Sequence, residues 1–139
     1  MKHIKYIALI SIIALTSIIS CKNEVTVTAS EQAQNELLDA IQGTWSASEV
    51  RKDNTVITDF SEFSISITDQ SYTTTKGSPV WPSSGSFDFS SAGTENEFLR
   101  QDGRLFTALE NSGTVTITII YQEETARGEF GTYEFVMQQ

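Results

Sequence analysis

The chain has 139 residues, with 9 Lys and Arg against 18 Asp and Glu and a formal net charge of −9, which is the length of one domain. Lys2, His3 and Lys5 all lie in the first twenty residues, so residues 21–139 keep 7 basic side chains, all 18 acidic ones and no histidine. Phosphate backbones and acidic lipid headgroups repel such a module, so nucleic acid is not an expected partner.

Met1–Lys5 is positively charged and Tyr6–Ile19 is almost wholly apolar. That run has the length of a signal-peptide core and falls short of the roughly 20 residues of a spanning helix. It ends in Ile18-Ile19-Ser20-Cys21, an aliphatic residue three places before a cysteine with a small residue just before it. The pattern resembles the lipobox of bacterial lipoproteins. The resemblance implies cleavage before Cys21, diacylglycerol on its thiol and acylation (palmitate or a similar chain) of the new terminus. Residues 1–20 are then a signal peptide and 21–29 a lipidated tether. Cys21 is the only cysteine, so it has no intramolecular disulfide partner. Acyl chains, at about 0.8 kcal/mol per buried methylene, hold a protein on a membrane without a spanning helix. Lys22-Asn23-Glu24 places one acid after the cysteine, where surface lipoproteins of Bacteroidetes carry an acidic cluster. The expected location is the outer membrane, on its periplasmic or its outer face.

Ser30 can cap a helix over residues 31–42, with Glu31 in the first turn, where the helix dipole favours negative charge. Leu37, Leu38 and Ile41 share one face, and Gly43 supplies the stop. After Gly43 the period changes to two. Residues 21–139 hold 16 Thr and 14 Ser, which repeatedly alternate with apolar side chains. Phe63, Ile65 and Ile67 make one stripe, Val115, Ile117, Ile119 and Tyr121 a second, and Tyr133, Phe135 and Met137 a third. Each such run is a half-buried strand with a hydroxyl-rich outer face. Parallel strands would read as continuous apolar runs joined by helices, so the sheet is antiparallel.

Turn signals divide the chain into strands at 43–50, 55–68 (bent near Ser61), 71–76, 85–90, 95–101, 104–110, 114–122 and 130–138. Asp102-Gly103 is the strongest hairpin signal, expected as a two-residue turn. Eight consecutive strands with tight links predict an all-β, up-and-down antiparallel barrel over 30–139, whose closure removes exposed edges. A two-sheet β-sandwich is the alternative. A monomer is expected.

Gly43-Thr44-Trp45, directly after the short helix, resembles the Gly-x-Trp signature of lipocalins, in which the tryptophan closes one end of an eight-stranded barrel. Together with Trp81-Pro82-Ser83-Ser84-Gly85, Asp102-Gly103 and the terminal Phe135-Val136-Met137, the order is similar to the small lipocalin-like domains of Bacteroidetes lipoproteins across residues 36–139. Lipocalins also stack an arginine of the last strand over that tryptophan. Residues 130–138 contain none, and Arg127 lies just before them.

Without histidine or a second thiol, the exported chain cannot build an imidazole-assisted nucleophile, a His/Cys zinc site or such a haem ligation. No glycine-rich phosphate loop is present either. No catalytic residue, metal ligand or cofactor is expected, and the protein is read as a non-enzyme. Glu95 with Glu97, Asp88 with its cross-strand neighbours and Glu123-Glu124 read as a solvated anionic surface. Trp45 reads as structural. The candidate ligand-binding residues are Trp81, held between Pro79 and Pro82 in a loop unable to pair as strand, and Tyr72 and Tyr121. Trp81 could stack on a sugar or flat ligand at the barrel mouth or form a lid on the core. In the first case, Trp81→Ala weakens ligand binding more than stability. With about 110 residues the strands of the barrel are short, and its many Phe and Ile side chains favour a filled interior. The expected function is a lipid-anchored module binding a small apolar molecule, a glycan or a protein partner. The alternative is a structural or accessory component of an envelope or surface nutrient-uptake assembly, with a filled barrel and no small ligand.

Overall fold

The computed structural model describes residues 28–91, 93–122 and 130–139. The expected signal peptide, Cys21, the tether up to Val27 and Glu123, Glu124 and Arg127 lie outside them. Helix α1 runs over Ala29–Ile41 and is capped by Thr28, not by Ser30. The Thr28 hydroxyl accepts from the Glu31 amide at 3.2 Å, and the Glu31 carboxylate accepts from the Thr28 amide at 2.8 Å. This reciprocal box satisfies two donors left over at the helix start. The Thr28 amide first, and then the Thr28 hydroxyl, which also donates to Glu31 Oε2 at 2.9 Å, hold the Glu31 carboxyl below its ordinary pKa. Among the described residues no helix is long and apolar enough to cross a membrane.

Among the described residues nine strands follow: β1 (Gly43–Lys52), β2 (Thr55–Ile57), β3 (Ser64–Thr68), β4 (Ser71–Thr75), β5 (Ser84–Phe89), β6 (Glu97–Arg100), β7 (Leu105–Asn111), β8 (Thr114–Tyr121) and β9 (Gly131–Gln138). All pairings are antiparallel, in the order β2-β1-β3-β4-β5-β6-β7-β8-β9, and β9 returns to pair with β1. The result is an eight-stranded closed barrel with one extra strand, and not a sandwich. The expected strand 55–68 is divided. Its first part, β2, pairs with Val50–Lys52, and its second, β3, pairs with Gly43–Ser46. Between them the chain turns so that Phe60 enters the core, 5 % exposed, close to the bend expected at Ser61. A bulge between Ala47 and Glu49 interrupts the register of β1 against β9.

The turns follow their residues. Asp53-Asn54 (φ 49° and 66°) and Ser112-Gly113 (φ 53° and 81°) form two-residue hairpin turns with both central residues at positive φ. The Asp102-Gly103 link differs from expectation. Only Gly103 has positive φ (82°), the Arg100 amide donates to the Arg104 carbonyl at 2.8 Å, and the Gly103 amide donates to the Arg100 carbonyl at 2.9 Å. This is a three-residue loop over 101–103, and the additional residue lets Asp102 fold back onto Arg100.

An up-and-down barrel sends alternate links to opposite ends. The β3–β4, β5–β6 and β7–β8 links share the end covered by α1, while the β4–β5 and β6–β7 links, the last residues of β8 and the first of β9 lie at the other end, here called the mouth. At the helix end Trp45 is 2 % exposed and its indole N–H donates to the Ile41 carbonyl at 2.7 Å, so it closes the barrel floor as its sequence position implied. Between the two ends the interior is filled by rings carried on strands that do not pair with each other and on the link before β3. Phe63 meets Phe135 at 4.7 Å between centroids, Phe87 meets Phe106 at 5.5 Å, and Phe60 meets Phe135 at 5.5 Å. At roughly 25 cal/mol per Å² of apolar surface withdrawn from water, this continuous aromatic core is the main term holding the barrel closed.

Candidate functional site

The mouth is shaped by the β4–β5 link, residues 76–83, which Pro79 and Pro82 keep out of the ladder. It folds back over the barrel on three bonds. The Trp81 amide donates to the Gly77 carbonyl (2.8 Å), the Thr74 amide to the Ser83 carbonyl (2.8 Å), and the Thr74 hydroxyl to the Pro82 carbonyl (2.7 Å). Gly77 allows the close turn: a Cβ there would lie 2.7 Å from the Trp81 Cβ and 3.0 Å from the Phe63 ring. Trp81 is thereby driven into the barrel, 1 % exposed, with its ring 5.4 Å from those of Tyr72 and Phe106 and 6.4 Å from Phe135.

Arg100 covers this indole. Its guanidinium carbon lies 4.9 Å from the ring centroid, and the residue is 2 % exposed. A charge buried to that degree needs partners. Arg100 Nη1 donates to the Val80 carbonyl at 2.9 Å, Nε donates to Asp102 Oδ1 at 3.0 Å, and Nη2 donates to Asp102 Oδ2. The planar guanidinium thus meets the carboxylate as a fork. Arg104 approaches the same carboxylate from the other side, Nε to Oδ2 at 3.6 Å, and stacks 4.5 Å from the Tyr121 ring centroid. The Arg100 hydrogen bonds, more than the nearby positive charge, hold the Asp102 carboxyl below its ordinary 3.8.

Above these groups lies an open recess of about 470 Å³, lined by Ser78, Pro79, Trp81, Ser83, Asp102, Arg104 and their neighbours. No known protein family, curated protein or solved structure matches the chain.

Of the candidate residues, the structure brings Trp81 and Tyr121 to the recess. Tyr72 lies behind Trp81, 3 % exposed, with its hydroxyl against Gly85, where a Cβ would come within 2.5 Å of it. Burial raises the pKa of that phenol, partly offset by Arg100. The Tyr72 hydroxyl and the Trp81 indole N–H are both buried without a hydrogen-bond partner among the described residues. Neither ring offers the open face that sugar stacking requires: Trp81 is enclosed by Arg100 and the core, and Tyr121 is covered by Arg104.

The acidic candidates do not converge. Asp88 stands opposite Leu99, and Glu95 lies in a link whereas Glu97 opens β6. Among the described residues no group of three or more His, Cys, Asp and Glu is placed to hold a metal ion. Sequence reading passed over Arg100, Asp102 and Arg104. An arginine does lie over a tryptophan at the mouth, where Arg100 covers Trp81.

Proposed function

We propose that the protein is a non-enzymatic, lipid-anchored protein of the outer membrane, tethered through Cys21, that recognises a small polar molecule, a glycan end or a partner protein at the barrel mouth and not in its interior. The observation that carries this reading is the filled barrel. Trp81, latched by Arg100, occupies the place where a calyx would open, and the recess lies outside it. An apolar ligand inside the barrel would have to displace rings already in contact, which favours the glycan or protein partner over the small apolar one. From Cys21 to Thr28 an extended chain spans at most about 25 Å, so an anchor there holds the helix end toward the bilayer and the mouth away from it.

A second reading, a structural or accessory component of an envelope assembly, draws on the outer wall. Leu99 and Leu105 stand opposite each other on adjacent strands, 41 % and 46 % exposed, with Ile120 at 53 %.

Two measurements test the proposal. Cys21→Ala is expected to move the protein from the membrane to the soluble fraction with an unchanged β-type circular dichroism spectrum; continued membrane association would remove the anchor. A fluorescent fatty acid titrated into the full-length protein is expected to show no saturable uptake. Saturation at one equivalent, with quenching of tryptophan, would show a calyx that opens and would overturn recognition at the mouth.

A further inference from the structure

The outer wall of the barrel is not uniform. β1, β5, β6 and β9 each turn charge outward, as Glu49 and Arg51, Asp88, Glu97 and Glu134. β3 and β4 turn out only hydroxyls, from Ser64, Ser66 and Thr68 to Ser71, Thr73 and Thr75. β7 and β8 are uncharged as well, but from Leu105 to Leu109 and from Thr114 to Ile120 their outward side chains are Leu, Thr and Ile. Among the described residues six large apolar side chains are exposed, and four of the six, Leu99, Leu105, Leu109 and Ile120, lie on β6, β7 and β8. Strand parity keeps them out of the barrel core, so the described fold leaves them uncovered.

These side chains form one face. Leu99 stands opposite Leu105, Thr107 opposite Thr118 and Leu109 opposite Thr116, and Leu105 and Ile120 line one shallow recess of about 240 Å³. The β7–β8 ladder keeps its register through six consecutive pairs without a bulge, which gives the regular surface that packing of sheet on sheet needs. Acids border the face on both sides: Glu97 opposite Thr107, and Glu134 opposite Thr118, the latter paired with Arg51 at 2.8 Å.

We propose that a second copy of this chain docks on the β6–β7–β8 wall, face to face across a two-fold axis. A face that meets its own copy brings like groups together, and the chain carries a net charge of −9, so two copies meet without repulsion at the contact only through an uncharged wall. Both the β3–β4 and the β7–β8 walls satisfy that condition, and only the second has apolar surface to withdraw from water. The outward positions of β7 and β8 hold no Trp, Tyr or Arg, the anchors that dominate contacts between different proteins. Interfaces between identical chains are instead more apolar and poor in charge. Three strands about 4.8 Å apart, over about five residues rising about 3.4 Å each, give a footprint of roughly 15 by 17 Å. With its side chains such a face buries on the order of 1,000 Å² over both copies, the lower bound of a specific interface, so the dimer is weak and reversible. This departs from the monomer expected from sequence. It rests on the second reading above, the outer wall as an interface, and names the occupant; recognition at the mouth is independent of it.

Sedimentation equilibrium of the full-length protein in detergent is expected to show a monomer–dimer equilibrium with a dissociation constant on the order of 10 µM. Raising the salt from about 50 to about 500 mM should tighten it severalfold, because screening weakens the repulsion between anionic copies and leaves the apolar contact. Leu105→Glu combined with Leu109→Glu is expected to weaken the dimer at least tenfold, and the milder Ile120→Gln severalfold. Thr73→Glu, on the other uncharged wall, should leave it unchanged, and circular dichroism checks the fold of every variant. A monomer at about 100 µM at both salt concentrations would overturn the inference, as would a dimer that weakens with salt, the mark of ion pairing. A dimer as tight in the folded Leu105→Glu, Leu109→Glu protein as in wild type would do the same, by placing the contact elsewhere. Cross-linking in cells separates this inference from the reading beneath it. A monomeric protein whose cross-linked envelope complexes are lost in the double variant would keep the wall as an interface and overturn only the second copy as its occupant; complexes unchanged in that variant would overturn both.

Discussion

Trp81→Ala is expected to destabilise the protein by about 4 kcal/mol, the usual cost of emptying a buried tryptophan site, and to lower the melting temperature by roughly 20 °C in a domain of this size. The indole touches Phe63, Tyr72, Phe106 and Phe135 and forms the surface on which Arg100 lies. Its removal leaves a cavity and uncovers a buried guanidinium together. The sequence expectation, in which ligand binding suffers more than stability, is therefore reversed. Trp81→Phe should behave differently. It loses volume but also removes an indole N–H that is buried without a partner, a group whose desolvation costs about 1–3 kcal/mol. The two effects oppose each other, and a net change within about 1 kcal/mol is expected. Urea unfolding of both variants measures the difference. A loss below about 1 kcal/mol for Trp81→Ala would mean that the β4–β5 link is not part of the core.

How much of this was legible follows from parity. Alternation of Phe63, Ile65 and Ile67 and of Val115, Ile117 and Ile119 gives inward and outward faces directly, and closure of the barrel follows from having no strand left to cover an edge. The helix cap was legible too, since Thr28-x-x-Glu31 is a capping box and Ser30 has no acid three places on. Arg100 was within reach by the same parity: it stands two residues after Phe98, so an inward Phe98 makes Arg100 inward as well. What hid it was the general rule that arginine faces water. The loop length at Asp102-Gly103 was not legible, because the same dipeptide serves two-residue and three-residue hairpins. Register across eight strands decides which, and with it whether Asp102 reaches Arg100. Nor could sequence tell that Trp81 points into the barrel, which depends on Gly77 permitting the link to close on itself.

Asp102→Asn is expected to cost on the order of 3 kcal/mol at neutral pH, because it removes the counter-charge of the buried Arg100 and leaves it the Val80 carbonyl, the Trp81 ring and one amide oxygen. The double variant Arg100→Met, Asp102→Asn should regain most of that loss, ending within about 1 kcal/mol of wild type, since an apolar side chain of similar volume escapes the desolvation penalty of the pair. The recovery separates a buried charge from a merely misshapen loop, which the second substitution would not repair. Acid gives an independent check. Asp102 has a folded-state pKa below its ordinary 3.8, so its contribution is fully present above about pH 4 and is lost as the pH falls from there through the depressed value. Wild type should therefore lose stability between pH 5 and 2 more steeply than Asp102→Asn, whose curve lacks this carboxyl. Parallel curves, or a double variant as unstable as the single one, would show that the arginine is not held by this carboxylate. Asp102 is 36 % exposed at its side chain, so water can soften the single substitution. The order of the three proteins, wild type and double variant above Asp102→Asn, is the expectation that survives such softening, because the Arg100 side chain is only 1 % exposed.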